Sequence, residues 1–237
     1  MAPYQTEALM YDLHIANKNY SSWSLRPWVL LRALDIPFTE HMHFFSTAIG
    51  ENVQFKAFSP TALVPALGDG GLTVWDSLAI AEYVYEAHPA VWPADREARA
   101  FARSAAAEMH SGFSVLRNIC TMNCGLRIRL HEITPALQRN IDRLDALFSE
   151  GLSRFGGPFL AGEHFTAADA FYCPVAFRVQ TYGLPLSPPA QAYVERLLAL
   201  PAMQAWYEAA LAETVREPEH EDEAAQVGVV LNDYRAS

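Results

Sequence analysis

The stretch Asn19-Tyr20-Ser21-Ser22-Trp23-Ser24-Leu25-Arg26-Pro27-Trp28 crowds three serines and two tryptophans between an apolar run, Leu13-His14-Ile15-Ala16, and a helical run from Leu25 to Leu34. A strand, a polar loop and a helix start gather backbone N–H groups around an anionic ligand. Pro27 lacks an N–H, which is harmless only in a first helical turn. The expected register therefore has Ser24 as N-cap and Pro27 at the third helical position. Ser21 and Ser22 then lie just upstream of the helix mouth, with hydroxyls free to donate to a bound group.

Other groups carry weaker signals. Pro65, inside Leu63-Val64-Pro65-Ala66-Leu67, marks either an edge strand or a cis peptide that leaves the Val64 backbone open to a ligand. Asp76 and Ser77 sit where an N-cap for the next helix is needed. His41 and His43 share one strand face, half of a metal site, but no further ligand accompanies them and no metal is expected. Cys120 and Cys124, at i and i+4, could meet on a helix, but without nearby ligands they read as small side chains. His110, Phe113, Leu116 and Arg117 fall on one face of a long helix, where packing competes with a pocket role. Trp206 and Tyr207 read as core.

The elements that position these residues divide into two halves. Strand patterns at Tyr11 to Ala16 and Phe38 to Phe45 flank the helix Leu25 to Leu34, where Leu30, Ala33 and Leu34 repeat at helical spacing. After a short helical patch near Asn52 to Phe58, Asp69-Gly70-Gly71 signals a hairpin into Leu72-Thr73-Val74-Trp75. A helix from Ser77 to about Ala87 ends at His88-Pro89. Past a linker with Pro89, Trp92 and Pro93, everything from Arg96 to about Glu213 reads as helix. Arg96 to Ile119 and Thr134 to Phe155 are long helices, the latter with Leu137, Ile141, Leu144 and Phe148 on one stripe. Thr166 and Asp169 form a capping box for a third, and helices near Pro189 to Leu200 and Pro201 to Thr214 follow. The division is residues 1–90, residues 95–215, and an acidic, solvated tail over 216–237 containing Glu217, Glu219, Glu221, Asp222 and Glu223.

Composition narrows the class. Of 237 residues, 51% are hydrophobic and 19% charged, a globular balance with length enough for a large core. The net charge of −10 argues against nucleic acid or an anionic membrane as partner. Three cysteines give no disulfide framework. Met1 to Met10 lacks the apolar run of a signal peptide, and no stretch is long enough to span a membrane. A cytoplasmic protein is expected.

In order and spacing, four patterns resemble the cytosolic glutathione transferases across Tyr11 to about Thr214. Ser21-Ser22-Trp23-Ser24 is similar to the Ser-Ser-Cys-Ser loop of the zeta class. Ser59-Pro60 with Val64-Pro65-Ala66-Leu67 resembles the family's Asn-Pro and Val-Pro-x-Leu, where the proline is cis. Asp76-Ser77 resembles its acidic-Ser pair, and Thr166-Ala167-Ala168-Asp169 its buried capping box. The resemblance implies an α/β thioredoxin-like domain followed by an all-α domain, glutathione as cosubstrate, a small hydrophobic electrophile and a homodimer. It implies Ser21, with Ser22 as second choice, against the glutathione sulfur. Val64 and Pro65 would pair with the cysteinyl backbone, Asp76 and Ser77 would hold the γ-glutamyl end, and Trp23, His110, Phe113 and Arg117 would form the electrophile pocket. Asp169 reads as structural.

A free thiol has a pKa near ~8.5, so lowering it by about two units requires about 2.7 kcal/mol of preferential anion stabilisation. A hydroxyl donor and a helix N-terminus can together supply that. Two departures matter. Trp23 stands where the zeta loop has cysteine, and residues 1–119 contain none, so a mixed disulfide cannot start here. The arginine that zeta isomerases use on the sixth helix corresponds to Thr181, with Arg178 about one turn earlier. Conjugation is thus the leading expectation, with glutathione-dependent isomerisation, dehalogenation or binding without turnover as alternatives.

Overall fold

The computed structural model describes residues 10–45 and 52–235; the expectation about a signal peptide therefore falls almost wholly outside the described residues. The first half is a four-stranded mixed sheet in the order β2-β1-β3-β4, formed by β1 (Tyr11–Ala16), β2 (Phe38–His43), β3 (Ala66–Asp69) and β4 (Leu72–Trp75). β1 and β2 run parallel, joined by α1 (Ser22–Ala33), while β3 and β4 are antiparallel. Gly70 and Gly71 both have positive φ, at 53° and 95°, as the tight hairpin requires. Helix α2 (Ser77–Ala87) closes the domain.

The helical half begins with α3 (Arg96–Ser111), and here the expected helix Arg96 to Ile119 is corrected. It breaks at Gly112 and Phe113 and resumes as α4 (Ser114–Ile119). A Cβ at Gly112 would sit 2.7 Å from the Glu108 carbonyl oxygen, and Phe113 adopts a left-handed φ of 55°. The chain continues through β5 (Leu126–Leu130), α5 (Pro135–Phe155), α6 (Ala167–Tyr182), α7 (Pro188–Leu198) and α8 (Pro201–Ala212). α6 is the axis of this half, with nearly every residue buried, and it packs on α1, α3 and α7.

The expectation of a solvated acidic tail is also overturned. Residues 218–233 form α9 (Pro218–Val227) and β6 (Gly228–Asp233), and β6 pairs antiparallel with β5, a strand within the stretch expected to be all helix. Glu221 accepts from the Tyr20 hydroxyl at 2.6 Å and pairs with Arg235, so acidic residues that look solvated are specific anchors.

On the sheet, His14 stacks with His41 (4.7 Å) and with Phe58 (4.3 Å), and its Nδ1 lies 2.9 Å from His43 Nε2. Among the described residues no group of His, Cys, Asp and Glu is arranged to hold a metal ion. Burial, then the neighbouring His41 and His43, push His14 from 6.5 down to about 4. The unfolded chain thus binds a proton first as pH falls, and stability should drop between pH 6.5 and 4. For a partly exposed ring screened by solvent, this contribution is about 1–2 kcal/mol. Denaturant melts of His14→Gln should show that pH slope flattened, and an unchanged slope would contradict this origin.

Candidate functional site

The helix start differs from the expected register. α1 begins at Ser22 with Ser21 as N-cap, so Ser24 is the third helical residue and Pro27 the sixth. Ser24 instead lies beneath the loop. Its Oγ accepts from the Ala16 N–H at 3.2 Å and from the Ser21 hydroxyl at 2.7 Å. The Ser21 side chain makes no cap hydrogen bond to the first-turn N–H groups of α1, which leaves the positive helix end available to a ligand.

The loop before this helix is held by the other domain. The Glu213 carboxylate accepts from the backbone N–H of Lys18 (2.5 Å) and Asn19 (3.2 Å), and the Trp206 indole donates to the Lys18 carbonyl at 2.8 Å. Cys124 and Gly125 donate backbone N–H groups to Asn19. A loop with polar backbone buried at a domain junction needs such partners, so the serines are positioned by α8 as much as by β1.

Two cavities meet at this loop. One, of about 390 Å³, is lined by Ser21, Ser22, Trp23, Arg117 and Arg178 with Tyr20 and His220. The other, of about 500 Å³, is lined by Val64, Pro65, Asp76, Ser77 and His110. Trp23, Leu63 and Val64 border both. The Val64-Pro65 peptide is cis, and the β1–β3 ladder ends at Ala66, so Val64 lies beyond the sheet's own hydrogen bonding. The structure thus gathers Ser21, Ser22, Trp23 and Arg117 on one side, and Val64, Pro65, Asp76, Ser77 and His110 on the other.

Phe113 is the exception. It is buried at the α3–α4 break and lines neither cavity, because the continuous helix face that would have aimed it there does not exist. His110 reaches Asp76 Oδ2 at 3.4 Å and meets the Trp23 ring edge-on at 5.3 Å, so it belongs beside Asp76 and not in the Arg117 cavity. Thr181 donates to the Asn123 carbonyl at 2.7 Å and faces neither cavity. Arg178, one turn earlier, lines the Ser21 cavity.

Asp76 carries two duties. Its side chain caps α2 by accepting from Leu78 N (2.8 Å) and Ala79 N (3.3 Å). Its backbone holds φ 75°, a region unfavourable to a non-glycine residue that costs about 1–3 kcal/mol. Asp76→Ala should lose about 1 kcal/mol of stability with the cap, read by denaturant melts. If Asp76 also holds the γ-glutamyl end, as the resemblance implies, the glutathione Kd should rise roughly tenfold, for one lost hydrogen bond to a charged group, read by calorimetry. Unchanged affinity would mean that Asp76 only caps the helix.

The electrostatics were not visible in sequence. Arg26 is buried and stacks on Trp23 (4.0 Å) and Phe171 (4.9 Å); among the described residues it has a single hydrogen bond, of 3.5 Å, to Ser77 Oγ, and its Nε is without a partner. Arg117 covers Trp23 at 4.4 Å. Burial, then Arg117 and Arg178, lower Arg26 from its ordinary value, with Asp76 offsetting part. Arg178 donates to the Cys120 carbonyl, and its Nε also lacks a partner. Buried cations without carboxylate partners favour an anionic occupant. Cys120, Cys124 and Cys173 are buried, and desolvation raises all three thiols, so they are not reactive centres.

The family model "Glutathione S-transferase, N-terminal domain" matches residues 20–87, and "Glutathione S-transferase, C-terminal domain" matches residues 129–209. The chain is 30% identical to a probable maleylacetoacetate isomerase of Vibrio cholerae, over 64% of this chain and 74% of that protein. It is 26% identical to the maleylacetoacetate isomerase of Rattus norvegicus, over 77% and 85% respectively. A glutathione transferase homolog from Burkholderia GL BGR1, solved with bound glutathione, superposes with a TM-score of 0.63 at 26% identity, over 85% of this chain and 98% of that one.

Proposed function

The chain belongs to the glutathione S-transferase family, and we propose that it forms the glutathione thiolate at Ser21 and Ser22 and directs it at an electrophile bound beneath Arg117 and Arg178. The observation that carries this reading is the N-terminus of α1, without a cap from the Ser21 side chain and with two serines at its mouth, opening to a cavity lined by Arg117 and Arg178, neither of which is in an ion pair among the described residues. The thiolate gains from the hydroxyl donors and the helix end; the thiol does not. Val64, Asp76 and Ser77 take the peptide and γ-glutamyl parts, with Pro65 shaping the turn. Glutathione should therefore bind to the wild-type protein in calorimetry and its thiolate absorbance should appear below the free thiol's pH range. Absence of binding would end this reading.

Arg178 favours a second, finer reading in which the electrophile carries a carboxylate, as a glutathione-dependent cis–trans isomerase would need. A buried guanidinium with an unpartnered Nε has little other reason to face the cavity. Arg178→Met should raise KM for an electrophile with a carboxylate about 10–100-fold, the loss of one hydrogen-bonded charge pair, and leave a neutral electrophile nearly unaffected. Equal effects on both would return the assignment to a neutral hydrophobic electrophile.

Among the described residues no helix is long and apolar enough to cross a membrane. A cytoplasmic homodimer is the state that accords with the family, and gel filtration at the monomer position would remove the dimer.

A further inference from the structure

Hydroxyl donors stabilise a thiolate, but they do not accept the proton that the thiol gives up. Tyr20 is the phenol that lines the cavity, and it is occupied. Its hydroxyl donates to Glu221 at 2.6 Å, and burial and then Glu221 push it up to about 12, so it stays protonated. Glu213 is committed to the backbone of Lys18 and Asn19.

One pair opposite the serines remains, on the α9 segment that lies beyond residue 209, where the family match ends. His220 lines the same cavity as Ser21 and Ser22. Its Nδ1 lies 2.5 Å from Glu217 Oε2, and Glu217 is buried, at 6% exposure. The same carboxylate oxygen accepts from the His220 backbone N–H at 2.8 Å, so ring and helix start are held together. The imidazole lies between two aromatic rings, Tyr20 at 5.1 Å and Phe45 at 5.7 Å. Nε2 has no hydrogen-bond partner among the described residues. Glu223 lines the cavity too, but it is exposed and has no such orienting contact.

A carboxylate that fixes one imidazole nitrogen sets the tautomer and makes the other nitrogen a base. We infer that His220 is the general base and acid of the reaction, with Glu217 as its positioning residue. The inference rests on the proposed thiolate site at Ser21 and Ser22. In the step, Nδ1–H donates to Glu217 and Nε2 takes the S–H proton of glutathione. The sulfur electron pair forms the C–S bond to the electrophile. The imidazolium then returns its proton to the group that leaves with the electron pair of the broken bond, or to the carbanion formed when sulfur adds to an activated alkene.

The test is stopped-flow formation of the thiolate band after mixing enzyme with glutathione, for wild type, His220→Gln, His220→Ala and Glu217→Gln, with calorimetric glutathione affinity measured beside it. The expected result is thiolate formation slowed about 10²-fold in both His220 variants, the scale of a lost general base. Affinity should stay near wild type, and added imidazole should restore the rate of His220→Ala. Glu217→Gln should fall between, since the ring remains but loses its anionic partner. Unchanged rates in His220→Gln and His220→Ala overturn the inference. So do slowed rates that imidazole does not restore and that track a loss of affinity, because His220 would then only shape the cavity. Wild-type enzyme that fails to bind glutathione would instead sink the underlying site, a result separable from either.

Discussion

Ser21→Ala should raise the apparent pKa of the bound glutathione thiol by about 1–2 units, the 1.5–3 kcal/mol of a hydrogen bond to a charged group. At pH 7, starting from a bound thiol pKa of about 6.5, the thiolate fraction, and with it kcat/KM, should fall about 3–25-fold. Ser22→Ala should produce a loss of the same kind, because Ser22 lines the cavity at the first helical position and its hydroxyl makes no hydrogen bond to another described residue. The two serines are not equivalent. The Ser21 hydroxyl donates to Ser24 Oγ, so to meet the sulfur it must rotate and give up a contact worth about 1 kcal/mol. Ser24 also holds the Ala16 N–H, and Ser24→Ala removes the acceptor that competes for the Ser21 hydroxyl, so it should leave the thiol titration at or slightly below its wild-type position. Ultraviolet titration of the thiolate band reads all three. If both Ser21→Ala and Ser22→Ala leave the titration at its wild-type position, the hydroxyls do not activate the thiol.

The parts of this site that were legible in sequence are those defined by local chain chemistry. The Asp69-Gly70-Gly71 hairpin, the Asp76 cap and the Thr166–Asp169 box each satisfy their backbone groups within a few residues. The helix begins three residues earlier than the missing N–H of Pro27 alone suggests. In the folded chain Pro27 forgoes one bond, to the Trp23 carbonyl, and α1 still extends back to Ser22. The α3–α4 break escaped because Gly112 sits in an otherwise helical pattern; only the close Glu108 carbonyl reveals why a side chain is excluded. The tail departs from its sequence pattern for a different reason. Glu217 and Glu221 have the composition of solvated residues, and their partners Tyr20 and Arg235 are distant in sequence or beyond the acidic run. Arg26 and Arg178 likewise reveal nothing locally. Their burial beside the cavity is a property of how α1 packs on α6.

That packing gives the largest stability effect expected in the molecule. Asp169 is wholly buried and accepts four hydrogen bonds: Leu160 N (2.9 Å), Thr166 N (2.9 Å), the Thr166 hydroxyl (3.2 Å) and the Tyr193 hydroxyl (2.9 Å). Those donors come from the loop before α6, its N-cap and α7, so one carboxylate joins three segments. Asp169→Ala leaves buried donors without an acceptor, each costing about 1–3 kcal/mol, and opens a small cavity besides. A loss of about 4 kcal/mol is expected, large against the 5–15 kcal/mol of a typical domain. Asp169→Asn keeps one acceptor oxygen and should lose roughly half as much. Because α6 carries Phe171, which packs on Arg26, and Arg178, which lines the cavity, glutathione turnover should fail at the same denaturant concentration as the fold. A variant that loses activity while its melting curve stays at the wild-type midpoint would instead make Asp169 a participant in the chemistry.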